Sequence, residues 1–361
     1  MRMIIIMSEI DHFNHYSTGI GVGVGMFSSR KWMVISIAVM LVFVFALTGC
    51  GAKEESADNA VTQQNAETND KSEDGSDSGQ SDDGATRIVE DEFGKVEVPV
   101  NPQRVAGIYV EDYLLALGVT PVVQWYHPSW GKQDYLGLDV PTFDITGSLE
   151  ALLEYSPDLI IVEGVVDAAK YEQYSKIAPT YRLKEEILQD APEILKTIAD
   201  VLGIPEKAET VLEQYSQKIN DAKAKLTKAI GNETVAVVRL NVGDKTLALF
   251  GIENRYIGNI YKDMGLTPHP FVRDMTEFHE ILSEEKLPEL DADHIILFPS
   301  NGTWTSEENK EAIKLLDSPM WKSVPAVKSG QVYMADRTHW QSGAITANTM
   351  KIDDLLTWFV K

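Results

Sequence analysis

The chain has 361 residues, room for two ordinary domains, and a hydrophobic content of 44% that is enough for real cores. A formal net charge of −23 excludes nucleic acid as a partner, because phosphates call for clustered Lys and Arg. A single cysteine, Cys50, excludes an internal disulfide.

The first segment, residues 1–49, reads as leader and signal peptide. Its opening carries Glu9 and Asp11 and a Gly-rich run from Gly19, and fits no export signal. That run lacks the flanking strand and cored helix a dinucleotide loop requires. Translation is therefore expected to start at Met26. Arg30 and Lys31 precede an apolar stretch from Trp32 to Leu47, marginal for a permanent span and typical of a signal-peptide core. Leu47-Thr-Gly-Cys50 resembles the bacterial lipobox, in which the cysteine is diacylated and becomes the new N-terminus. Residues 50–86 then hold ten acids against two lysines and almost nothing to bury, the composition of a disordered tether. Two acyl chains on Cys50 suffice for stable anchoring, so the domain is expected to sit outside the membrane on an acidic leash.

From residue 87 the pattern is α/β. A hairpin is expected around Asp91–Gly94, followed by a buried strand over Val105–Val110. Glu111 and Asp112 suit the start of the next helix, and Gly118 its end. Further strands follow at Val122–Tyr126, Leu159–Val162 and Thr180–Leu183, completing a first lobe over residues 87–204. Apolar positions 208, 211, 212, 215, 219, 222 and 226 mark one face of a long helix with Pro205 in its first turn, placed within a linking segment 205–230. One such helix restricts hinge motion more than paired flexible strands would. A second lobe over residues 231–361 replays the first: strands at Thr234–Leu240 and Thr246–Phe250, a helix from about Arg255 to Met264, a strand at Gln331–Ala335 and a closing helix from about Ala347.

The two lobes also share a motif. LEALLEYSPDLII from Leu149 and EEKLPELDADHII from Glu284 align at an offset of 135 residues. Glu150, Leu152, Glu154, Asp158, Ile160 and Ile161 recur as Glu285, Leu287, Glu289, Asp293, Ile295 and Ile296. Each segment reads as a short helix opening onto a core strand.

The order of lipobox, acidic leash, GKVEVPVNPQRV, LALGVTP, LEALLEYSPDLII, IAPTY, long helix, SPMWKSVPAVKSGQVYMAD and HW resembles the helical-backbone class of ABC-transporter substrate-binding lipoproteins. The resemblance is to the ferric-siderophore group of Gram-positive bacteria and covers residues 87–361. It implies two Rossmann-like lobes joined by one α-helix, with the ligand cleft between them. It also implies a monomeric, non-enzymatic receptor on the outer face of the cytoplasmic membrane, delivering a ferric chelate to a permease dimer. Such a receptor needs no cofactor, since the iron travels within the chelate. In that family one glutamate per lobe docks on the permease, and the matching positions are Glu150 and Glu285. The other reading of these acids is that they complement the dipoles of their helices.

Open α/β sheets bind ligands at the carboxyl ends of their strands. The richest loop there is Gln124–Lys132, with Trp125, Tyr126, His127, Trp130 and Lys132. Arg239 interrupts an apolar strand, where a charge must be paired or face a cleft. It resembles in position a ligand-contacting arginine of some family members. Arg182, Arg273, Trp304, Arg337, His339 and Trp340 also fall in or beside expected cleft loops, with surface placement or core packing as the competing reading. Arginine forks suit carboxylate and catecholate oxygens, and aromatic faces supply flat apolar contact.

Other chemistries have less support. Phe278-His-Glu-Ile-Leu-Ser283 lacks the second histidine of a zinc-protease helix, and no P-loop or nucleophile elbow occurs. A receptor for cobalamin, for haem, or for free Zn or Mn held by His127, His279 and His339 remains the alternative.

Overall fold

The Asp91 carboxylate accepts hydrogen bonds from Phe93 N (2.8 Å) and Gly94 N (2.9 Å), a side-chain-closed turn. It joins β1 (Thr86–Glu90) and β2 (Lys95–Pro99) as an antiparallel hairpin, as expected. The computed structural model describes residues 85–360. The signal segment, Met26, Cys50 and all but the last two residues of the tether lie outside the described residues. Among those described, no helix is long and apolar enough to cross a membrane.

The first lobe is built from β3 (Val105–Ile108), β4 (Gln124–Tyr126), β5 (Thr142–Asp144), β6 (Leu159–Val162) and β7 (Thr180–Arg182). Strands β3, β6 and β7 pair in parallel with β6 central, and β4 pairs in parallel with β5. A bond from Val122 N to Val105 O (2.9 Å) ties the second group to the first. Every residue of β3 and β6 is buried, as continuous apolar runs in parallel sheets require.

The second lobe holds β8 (Thr234–Asn241), β9 (Thr246–Phe250), β10 (Thr267–Pro268), β11 (His279–Leu282), β12 (His294–Pro299) and β13 (Val332–Met334). Their order is β11-β9-β8-β12-β13, with β10 parallel to the start of β8. Strands β8, β12 and β13 are parallel, while β9 and β11 add an antiparallel edge.

Four helices frame the lobes: α1 (Glu111–Ala116), α2 (Ala191–Val201), α3 (Pro205–Ile230) and α4 (Ile345–Phe359). The linking helix α3 has 26 residues, with Pro at its first position and Gly231 (φ 56°) closing it. It packs against α2 and α4, and Lys218 Nζ meets the Asp353 carboxylate at 2.7 Å across the α3–α4 contact.

The repeated motif has the same architecture in both lobes. Leu149–Tyr155 and Glu284–Glu289 are 3-10 turns rather than α-helices, and their Leu152 and Leu287 are buried beneath β6 and β12. The repeated aspartate secures the neighbouring parallel strand. Asp158 accepts from Gln103 N (2.7 Å) and Arg104 N (2.9 Å) ahead of β3. Asp293 accepts from Thr234 N (2.7 Å) at the start of β8, a bond that holds its carboxyl below the usual range. The acids at the head of each segment, Glu150 and Glu285, are exposed, as are Glu154 and Glu289.

Several elements are shorter than the sequence predicts, and for two of them the local cause is visible. The helix expected from Arg255 begins only at Gly258 and ends at Lys262, because the Asn254 side chain accepts from Tyr256 N (2.8 Å) and caps a loop there. The strand expected over Val105–Val110 stops at Ile108, because Tyr109 turns into the left-handed region with φ 67°.

Candidate functional site

The carboxyl ends of the parallel strands in the two lobes meet. The loop after β4 is a tight turn, with His127 N bonded to Gly131 O (3.0 Å) and the rings of His127 and Trp130 stacked at 3.7 Å. It is held by residues that follow β12 and β13: Asn301 Nδ2 donates to Ser129 O (2.8 Å) and Arg337 Nη2 to Trp130 O (2.8 Å). Burial pulls the His127 imidazole below its ordinary pKa, against the opposing charge of Asp144.

An ion pair also joins the lobes. Glu163, the residue after β6, receives Arg255 Nη1 at 2.6 Å, and the guanidinium also lies over the Tyr256 ring, 5.1 Å from its centre. Burial pulls the Arg255 pKa down, but Glu163 and Tyr256 outweigh it and hold the group above its ordinary value. The aromatic lining continues on both sides. Tyr109 lies 4.7 Å from Trp125 in the first lobe, and Tyr256 meets Phe278 edge-on at 5.3 Å in the second. Arg239 lies over Phe250 at 5.0 Å and donates through Nε to Asn241 Oδ1 at 2.8 Å.

At the base of the seam, Asp112 of α1 reaches across to the start of α4. It accepts from Thr346 N (2.8 Å), Ala347 N (3.0 Å) and Tyr135 Oη (2.6 Å), so a side chain of one lobe caps a helix of the other. Tyr135 Oη also lies 3.2 Å from Ser342 Oγ. Lys351, fully buried on α4, donates to Asn348 Oδ1 (2.9 Å) and to the carbonyls of Tyr256 and Ser342. Burial pushes its ammonium down to about 7, opposed by the charge of Asp112.

The seam thus brings together Trp125, Tyr126, His127, Trp130, Lys132 and Arg337 among the residues the sequence singled out. Lys132 bonds Gln124 Oε1 (3.2 Å) and approaches Asp134 (3.4 Å). Trp304 leans on the second lobe's core, donating to Ala335 O (2.9 Å). Others do not reach the seam as ligand groups. Arg182 is buried and spends its guanidinium on Val166 O (3.0 Å), Leu183 O (3.0 Å), Gly164 O (2.6 Å) and Glu185, binding the hairpin side of the first lobe. Arg273 is exposed and paired with its neighbour Asp274. Trp340 is fully buried, its Nε1 donating to Asp354 Oδ2 (2.8 Å) beside the buried His339, which meets the same oxygen at 2.7 Å. A charge or an aromatic ring near a strand end carries one sequence signal whether it is destined for a core or a cleft. Among the described residues, no group of three or more His, Cys, Asp or Glu is placed to hold a metal ion, so His127, His279 and His339 form no such site.

Tyr109, Glu163, Arg255, Tyr256 and Phe278 were missed in the sequence. Tyr109 and Glu163 directly follow core strands, and that position is the signal that could have found them. The cause of Trp125's placement is also new. Glu111 is fully buried and accepts Trp125 N at 2.8 Å, while its second oxygen has no partner. Burial pushes its carboxyl up to about 8, although the backbone amides of Trp125, Glu111, Val110 and Tyr109 pull the other way. A folded-state pKa raised above the usual 4.5 means the native state binds more protons than the unfolded one between those values. This carboxyl's contribution to stability is therefore complete below pH 4.5 and lost as the pH rises through about 8. Glu111→Gln is expected to flatten that decline, measured by denaturant unfolding at pH 5 and pH 8. An unchanged slope would contradict the assignment.

Comparison with known proteins places this architecture. A family model described as periplasmic binding protein matches residues 111–338. The chain is 28% identical over 92% of its length to a probable siderophore-binding lipoprotein, YfiY, of Bacillus subtilis, covering 99% of that protein. It is 30% identical over 82% of its length to the iron(3+)-hydroxamate-binding protein FhuD of the same organism, covering 88% of it. Among solved structures, it is similar to a FhuD fold-family periplasmic binding protein component of a Fep/Fec-like ferrichrome ABC transporter from Bacillus subtilis. That match has a TM-score of 0.65 and 27% identity, and covers 76% of this chain and all of that one. Staphylococcus aureus SirA complexed with staphyloferrin B shares the fold, with a TM-score of 0.62 at 24% identity over 75% of this chain and 98% of its own.

Proposed function

We propose, for a chain that belongs to the periplasmic binding protein family, that it is the receptor of an ABC importer for a ferric siderophore or related ferric chelate. The observation that carries this reading is the lining of the seam. Aromatic rings and guanidinium groups converge where the carboxyl ends of both parallel sheets meet, and relatives named for ferric hydroxamate and ferric citrate match along most of the chain. Ferric chelates are bulky and coated in oxygen acceptors, which such a lining suits.

The protein works as a binding protein rather than an enzyme. It hands its ligand to a permease on the outer face of the membrane, held there by acylated Cys50 and its acidic tether. It acts as a monomer, and the iron enters inside the chelate, with no cofactor of the protein's own. Glu150 and Glu285 are the contacts to the permease, one exposed carboxylate on the same 3-10 turn of each lobe.

Equilibrium dialysis tests the ligand class. The protein is expected to retain iron only when it is presented as a chelate. Retention of free Zn or Mn at equal concentration, with no retention of any ferric chelate, would favour the metal-receptor alternative.

A further inference from the structure

Tyr109 occupies a backbone position that an aromatic residue does not take without cause. Its φ of 67° is left-handed, costly for a bulky L-residue. Ser156 and Lys245, the other described non-glycine residues with positive φ, sit in exposed turns. Tyr109 instead is half-buried, at the bend between β3 and α1. Strain of this kind persists where the surroundings over-determine it, and it collects at ligand sites.

The surroundings here are specific. The buried Glu111 carboxyl lies under the turn, close to the backbone amides of Tyr109 and Val110, and also fixes Trp125 through its N–H. The Tyr109 ring therefore lies against Trp125, centroids 4.7 Å apart and planes at 43°. Glu163 N bonds Ile108 O at 3.2 Å across the β3–β6 pair, which sets Tyr109, the next residue, beside the Glu163–Arg255 pair where the lobes meet. A tyrosine relaxed to negative φ would swing away from this position.

We propose that Tyr109 is a ligand-contacting residue of the seam. Backed by the buried Trp125 ring, it presents an aromatic face to the planar, conjugated iron-binding groups that hydroxamates and catecholates share. The inference rests on the receptor reading above and adds a selectivity to it. Citrate has no such planar π-face to stack, so the aromatic face favours hydroxamate and catecholate chelates over ferric citrate.

The test titrates the full mature chain with a ferric tris-hydroxamate, a ferric tris-catecholate and ferric citrate. Wild type, Tyr109→Gly and Tyr109→Phe are compared, each with its melting temperature. Glycine adopts φ 67° without strain, which offsets part of the packing lost with the ring, and the melting temperature shows that each variant is folded at the titration temperature. Its affinity for the preferred planar chelate is expected to fall about tenfold, the size of one aromatic contact. Tyr109→Phe keeps the ring and the affinity. Undiminished binding by Tyr109→Gly would overturn the role of Tyr109 and leave the receptor reading intact. Equal losses in the Gly and Phe variants would also overturn it. Wild-type preference for ferric citrate would overturn the selectivity, and binding of none of the three would overturn this inference and the receptor reading together.

Discussion

Cells carrying Glu150→Ala together with Glu285→Ala are expected to lose uptake of the ferric chelate while the purified protein keeps its wild-type affinity. Both carboxylates stand exposed at the head of matching 3-10 turns, each anchored by a buried leucine and followed by an aspartate that secures a core strand. The turns are rigidly mounted, so the acids are presented at fixed positions, one per lobe. Both are exposed, and truncating them removes little packing. The separation of uptake from affinity is the diagnostic outcome. Each single variant is expected to retain part of the uptake, since the other lobe still engages. Lost ligand affinity in the double variant, or wild-type uptake, would contradict the docking role.

Glu163→Ala is expected to lower the unfolding free energy by about 3 kcal/mol, because it leaves Arg255 charged and unpaired in a largely buried site. The pair joins the lobes at 2.6 Å, with the guanidinium also held over the Tyr256 ring. Gly343 packs so closely on Arg255 that a β-carbon there would come within 2.4 Å of its carbonyl oxygen, so the backbone beside the guanidinium has little room to shift. Replacing both partners by methionine should cost less than removing Glu163 alone, since no charge is then stranded. Denaturant midpoints of Glu163→Ala and the double variant measure this. A loss below about 1 kcal/mol in Glu163→Ala would show that Arg255 finds water or another partner instead, as exposed pairs do.

The repeat, the linking helix and most of the strands were legible in the sequence. Their signals are local: buried runs such as Leu159–Val162, the apolar stripe from Ala208 to Leu226, and the Asp158/Asp293 pair, whose shared task the structure supplies. The site was less legible. Arg182 and Trp340 carry the same composition signal as the seam residues, but each is engaged by partners distant in sequence, Val166 and Gly164 for one and Asp354 for the other. The seam itself depends on pairings such as Glu163 with Arg255 and Asp112 with the start of α4, more than ninety residues apart, which no periodicity records. Tyr109 was hidden for a different reason. Its significance lies in a backbone angle, and a tyrosine after a core strand gives no sign of it.

The central claim is that this chain receives a ferric chelate between its lobes. A tryptophan-fluorescence titration tests it most directly, because Trp130 lies in the seam loop, stacked on His127, and the buried Trp125 lies on the strand that leads into that loop, whereas Trp340 is sealed in the second lobe's core. Saturable quenching by a ferric chelate is expected, lost in Trp125→Phe/Trp130→Phe and retained in Trp340→Phe if the latter folds. No response to ferric hydroxamate, catecholate or citrate chelates would contradict the account.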